Sequence, residues 1–183
     1  MNISTTKKRQ YTYEDYLRLP EGSPYQLIGG DLIMVPSPTP YHQRISRKIG
    51  AILLQHIEEN DLGELLYSPI DVFFGQEHTF QPDIIFISKE RLSIIGDVKV
   101  EGAPDLVIEI LSPSTAYYDL GTKYEVYEKS GVKEYWLVHP DRKSIEVYEN
   151  RNEKFHRVQA VTQQGIIQSK LLKNVTVDLK KIF

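Results

Sequence analysis

The chain has no cysteine among its 183 residues, which removes disulfide bridges, thiolate nucleophiles and cysteine-ligated zinc from consideration. Long apolar runs are missing too. The longest stretches free of Asp, Glu, Lys and Arg are 12 residues, Leu32 to Gln43 and Val158 to Ser169, and both contain polar side chains. A membrane-spanning helix needs about 20 apolar residues, so no membrane association is expected. The opening MNISTTKKRQYTYEDY lacks the apolar stretch of a secretory signal, and a soluble cytoplasmic protein is expected. Neither sign of charge dominates: 22 Lys plus Arg stand against 25 Asp plus Glu, a net −3. No global positive field therefore draws the protein to nucleic acid, and such binding must come from a local patch. Gly-rich phosphate loops and nucleophile elbows are absent as well.

What remains, 40% hydrophobic and 26% charged residues without repeat or linker, suits one globular domain. Residues 1–10 read as a frayed, disordered basic tail and residues 11–183 as a single domain. Thr12 followed by Asp15 predicts a short capped helix ending by Pro20. Two apolar runs around Gly29-Gly30-Asp31 predict a hairpin. Ile45, Ile49, Ile52, Leu53 and Ile57 recur at helical spacing after a Pro-rich loop. ELLYSPIDVFF, PDIIFI and PDLVIEIL read as three strands, the last two apolar enough to be covered on both faces and central in the sheet. STAYYDLGTKYEVYEKSG follows as one helix stopping at Gly131, then VKEYWLVHP, SIEVYEN and FHRVQAVT as strands, with VTVDL as a last edge. The fold class is α/β (α+β), a mixed central β-sheet flanked by helices.

Acidic residues inside apolar strands are the anomaly, because a buried carboxylate must be paired, hydrogen-bonded or bound to a cation. Asp83 opens PDIIFI, and Glu109 lies within LVIEIL. If these strands are neighbours, both carboxylates can converge on one hard cation such as Mg²⁺; alternatively Asp83 caps a turn and Glu109 is purely structural. Asp105 shares a face with Glu109 but stands ~13 Å away along the strand, which makes it a strand-entry residue. Lys123, one helical turn after Asp119, is either an exposed ion pair or a cation that orients an attacking water. His42 reads as a capping or surface residue, with ligation or proton shuttling as the alternative. Arg44, Arg47 and Lys48 are a solvated helix face or phosphate contacts. Tyr117, Tyr118, Tyr124 and Tyr127 read as helix packing.

The series YTYEDYLRLPEG, YQLIGGDLIMVPSPTPYHQ, QPDIIFI, APDLVIEILSPST and DLGTKYEVYEKSGVKEYWLVHP resembles the Uma-two family of restriction-endonuclease-like proteins, in the PD-(D/E)XK nuclease superfamily. The resemblance spans about Tyr11 to Asn150. It implies a restriction-endonuclease-like core, here with extra C-terminal strands, and a Mg²⁺- or Mn²⁺-dependent endonuclease acting on nucleic acid, DNA above all. Asp83 and Glu109 correspond to its two acidic motifs, joined as metal ligands by the backbone carbonyl of Ile110. Its lysine would stand at position 111, which is Leu here, and Lys123 is the matching helix residue. Relatives carry Glu where this chain has Gln26 and an acidic residue near Gly29, so a degenerate binding protein and a hydrolase of smaller phosphodiesters are the rival readings. His139 stands where the resemblance has Asp, and is expected in a turn without catalytic meaning. One site per chain and a two-stranded substrate suggest a homodimer.

Overall fold

A computed structural model describes residues 10–183; the tail expected over residues 1–10 lies outside them apart from Gln10. Thr12 caps α1 (Tyr13–Tyr16) reciprocally, its hydroxyl accepting from the Asp15 N–H and the Asp15 carboxylate from the Thr12 N–H. The hairpin forms as predicted: β1 (Tyr25–Ile28) and β2 (Asp31–Met34) are antiparallel. Gly29 and Gly30 turn with φ of 62° and 75°, which residues without Cβ adopt at least cost. α2 (Pro40–Glu59) starts from the Thr39 cap and buries Ile45, Ile49, Leu53 and Ile57.

Residues 64–74, expected as one strand, form two. β3 (Gly63–Tyr67) and β4 (Val72–Gly75) lie in different sheets, because Pro69 between them has no N–H to continue a ladder. β5 (His78–Phe80), which sequence reading missed, β6 (Ile84–Ser88), β7 (Val100–Glu101) and β8 (Leu106–Ile110) follow. The helix expected over residues 114–131 is also divided, into α3 (Ala116–Leu120) and α4 (Thr122–Ser130). Gly121 makes the break, and a Cβ there would lie 2.9 Å from the Tyr117 carbonyl oxygen. The chain finishes with β9 (Glu134–His139), β10 (Ser144–Asn150), β11 (Phe155–Thr162), β12 (Ile166–Gln168), β13 (Thr176–Asp178) and α5 (Leu179–Ile182). His139 thus ends a strand rather than lying in a turn, and the expected last edge pairs only with β12 in a separate ribbon.

The main sheet runs β11-β10-β9-β8-β6-β3, with β8 and β9 parallel and the other pairs antiparallel. A second sheet, β2-β1-β5-β4-β7, stands beside it. Period-two alternation sorts the central strands: Ile84, Phe86, Ile108 and Ile110 pack with the apolar stripe of α2, whereas Ile85, Ile87 and Val107 pack with Tyr127 of α4 and Tyr135. Among the described residues no helix is long and apolar enough to cross a membrane.

Asp105 enters β8 fully buried. It pairs with Lys133 at 2.7 Å and Arg91 at 2.9 Å and accepts the Ser88 N–H at 2.8 Å. Burial pushes its carboxyl up, but Lys133, the Ser88 amide and Arg91 outweigh it and hold the group below its ordinary range. Asp105→Asn is therefore expected to cost roughly 2 kcal/mol at neutral pH. Its depressed pKa supplies stability that is present above the unfolded-state value and lost as the pH falls through the folded one. Urea denaturation at pH 7 and pH 3 should show the gap between parent and variant closing in acid.

Candidate active site

The antiparallel register of β6 and β8 sets Ile84 opposite Ile108, so one step further Asp83 falls opposite Glu109 on the same face. The strand ends are tied by the Ile110 N–H, which donates to Asp83 Oδ2 at 2.7 Å. Both carboxylates line one cavity of about 500 Å³, together with His42, Asp119, Lys123 and Gln26. Asp83 thus caps the end of β8 across the sheet, and its carboxylate and that of Glu109 line the same cavity.

Lys123 and Asp119 form the expected i, i+4 pair at 2.9 Å, and of the two alternatives the exposed one is excluded, because both side chains are 4% exposed. Lys123 Nζ also lies 3.0 Å from Glu109 Oε1, which makes it a cation clamped between two carboxylates. The break at Gly121 turns this side of α4 toward β8. Burial opposes the lysine's charge, yet Glu109 and Asp119 outweigh it and raise its pKa. Glu109 is pushed up to about 8 by burial, against the pull of Lys123 and with the repulsion of Asp119 and Asp83. Tyr127, read as packing, donates its hydroxyl to Glu109 Oε1 at 2.7 Å and holds that carboxylate in place. Tyr117, also read as packing, is 79% exposed instead.

The surface assignment of His42 fails as well. Its backbone N–H is capped by Thr39 Oγ1 at 3.2 Å, while its ring reaches across the site. Nε2 stands 2.9 Å from the Ile110 carbonyl oxygen and 3.3 Å from Asp83 Oδ2. A carbonyl can only accept, so Nε2 carries the proton. Burial lowers the imidazole's pKa, but the Asp83 hydrogen bond and charge, then the Ile110 carbonyl, outweigh it and leave it raised. No local pattern announces this contact, since 68 residues separate His42 from Ile110. Gln26 is 3% exposed, with Oε1 buried and unpartnered among the described residues.

The Mg²⁺ implied by the resemblance can be tested against these donors. Four carboxylates, Asp83, Glu109, Asp119 and Asp141, line the cavity with one lysine and one histidine. Asp83 Oδ1 and Glu109 Oε2 receive no hydrogen bond from the described residues. Among those residues no cluster of three His, Cys, Asp or Glu side chains has metal-binding geometry, which argues against an ion caged wholly by protein. Mg²⁺ is commonly held through one or two carboxylates with water in most positions, and the two free carboxylate oxygens fit such an ion. The third donor, the Ile110 carbonyl, is engaged by His42.

A mixed sheet with helices on both faces and a carboxylate pair beside a buried lysine defines a restriction-endonuclease-like α+β protein. The chain belongs to the Uma2 family, whose model carries the description "Putative restriction endonuclease" and matches residues 13–180. A relative named "Uncharacterized protein sll1609", from Synechocystis, is 25% identical over 142 residues, covering 75% of this chain and 78% of that protein. The fold is shared with a crystal structure from Anabaena variabilis described as "a putative nuclease belonging to DUF820". That likeness has a TM-score of 0.77 at 22% identity and covers 94% of this chain and 97% of the other.

Proposed function

We propose that the protein is a Mg²⁺-dependent phosphodiesterase that hydrolyses DNA. The observation that carries this reading is the convergence of Asp83, Glu109 and the buried Lys123 on one cavity. Asp83 and Glu109 would hold the ion through their free oxygens. When bound, the ion supplies Lewis-acid polarisation of a phosphoryl oxygen and a lowered pKa for its water. Lys123, kept charged by Glu109 and Asp119, orients the nucleophilic water and stabilises negative charge on the phosphate. Tyr127 and Asp119 fix the two carboxylate–lysine contacts. His42, when protonated on both ring nitrogens, would give the proton of Nε2, a nitrogen 2.9 Å from the Ile110 carbonyl oxygen and 3.3 Å from Asp83 Oδ2, to the departing sugar oxygen and remain as neutral imidazole. No covalent intermediate with the chain is needed. DNA as substrate is supported by the family's description, and a cytoplasmic homodimer acting on both strands accords with one site per chain.

Supercoiled plasmid incubated with the protein is expected to be nicked and linearised with Mg²⁺ or Mn²⁺ and left intact with chelator or with Asp83→Asn. Cleavage indifferent to chelator and to Asp83→Asn would sink the reading. A second reading, nucleic-acid binding without cleavage, is favoured by one observation: Gln26 supplies an amide, its Oε1 unpartnered among the described residues, where the resemblance expects Glu. Retention of plasmid without turnover in any of these metals would establish it.

A further inference from the structure

Past Asp83 the cavity continues into a second depression of about 350 Å³. Gln43, Ser68 and Asp83 form a wall common to both. One side of the depression is the exposed face of α2 around Arg47 and Leu54, and the other is Tyr67 of β3. The basic residues of α2 divide sharply here. Lys48 donates to the Ile182 carbonyl at 2.9 Å, and the Arg44 guanidinium lies over the Tyr41 ring at 5.7 Å. Arg47 has no hydrogen bond, ion pair or ring contact among the described residues, and it alone of the three lines this groove. Among the described residues Asp83 is the groove's single acidic lining residue, at the end shared with the active site.

Tyr67 is 39% exposed and lies flush against α2, because Gly50 opposite has no side chain; a Cβ there would collide with the phenol ring. An aromatic wall facing an unpaired guanidinium suits a nucleotide, whose base can stack while its phosphate meets the cation.

We propose that this groove is a subsite for the nucleotide adjoining the scissile phosphate, with Arg47 on the neighbouring phosphate and Tyr67 as the platform for the base. The substrate class is then a polynucleotide strand and not a small phosphodiester. The proposal rests on the phosphodiesterase reading above and adds a direction to it, from the Asp83–Glu109 pair along α2 toward Tyr67. Consecutive phosphates would meet Lys123 in one cavity and Arg47 in the next. A mononucleotide-sized diester would fill only the first cavity.

The test compares the parent with Arg47→Ala, Arg47→Lys and Tyr67→Ala on two substrates, a fluorescein-labelled oligodeoxynucleotide and bis(4-nitrophenyl) phosphate. Arg47→Ala is expected to lower kcat/KM for the oligonucleotide roughly tenfold, mainly through KM, because it removes one phosphate contact. Hydrolysis of the small diester should stay within about twofold, since that substrate never reaches the groove. Fluorescence anisotropy in chelator should show the slope of log affinity against log salt falling by about 0.7 to 0.9 for Arg47→Ala, with Arg47→Lys restoring it. Tyr67→Ala should weaken oligonucleotide binding without changing that slope. Equal losses on both substrates, or no loss on the oligonucleotide, would overturn the subsite while leaving the phosphodiesterase reading intact. Should the parent hydrolyse neither substrate, the phosphodiesterase reading fails, and the salt slope still judges the groove: an unchanged slope for Arg47→Ala overturns it.

Discussion

Lys123→Met is expected to reduce plasmid cleavage by roughly 10²–10³-fold or more and also to destabilise the protein by about 3 kcal/mol or more. The second effect follows from burial. Lys123 is 4% exposed, 3.0 Å from Glu109 and 2.9 Å from Asp119, and methionine would leave two carboxylates facing each other without a cation. They would have to take up protons to remain buried, so the destabilisation should shrink as the pH is lowered. Urea denaturation in chelator at pH 7.5 and pH 5 measures this. Adding Glu109→Gln to Lys123→Met removes one of the stranded charges, so the double variant should regain part of the lost stability and none of the activity. An active Lys123→Met protein would show that the lysine takes no part in the chemistry. Unchanged stability would mean that the carboxylates do not depend on it.

The sequence exposes some parts of this site far better than others, for physical reasons. Glu109 is legible because five aliphatic neighbours leave a carboxylate no route to solvent, whereas Asp83 at a strand start reads equally as a turn cap until the pairing of β6 with β8 is known. The main sheet and α2 follow from periodicity that packing does not contradict. Lys123 and Asp119 are different: i, i+4 spacing is the same on a wet helix face and a dry one. Only the break at Gly121 and the docking of α4 on β8 decide between them. His42 reaches Ile110 through the packing of α2 on the sheet, a contact that no local window contains. Buried carboxylates also have uses unrelated to chemistry. Glu134, in a context much like that of Glu109, is 1% exposed, yet it accepts from Trp136 Nε1, Ser169 Oγ and the N–H groups of Lys170 and Leu171. Its hydrogen-bonding capacity is used in pinning the C-terminal segment to β9. Glu109 differs because it faces a cavity with one oxygen uncommitted.

Glu109→Gln is expected to abolish cleavage and yet, in chelator, to unfold at the same denaturant concentration as the parent or a higher one. Glutamine keeps an acceptor for Tyr127 and Lys123, and Lys123 keeps Asp119 at 2.9 Å, so the substitution strands no cation. What it removes is a carboxyl that burial and two neighbouring carboxylates push up to about 8 from the ordinary 4.5. Between those values the native state binds a proton that the unfolded chain has released, so stability of the metal-free parent falls as the pH rises through that window. The variant lacks this loss. Its advantage should therefore be small at pH 5 and grow to the order of 2 kcal/mol by pH 8. Saturating Mg²⁺ should reverse the ranking, because an ion that binds only the folded parent stabilises it by mass action and gains little hold on the variant. If Glu109 were instead a satisfied structural partner of Lys123, Glu109→Gln would cost roughly 3 kcal/mol, at pH 8 as at pH 5. A large fall in the chelated midpoint at pH 8 would thus remove Glu109 from the metal site even if cleavage were lost.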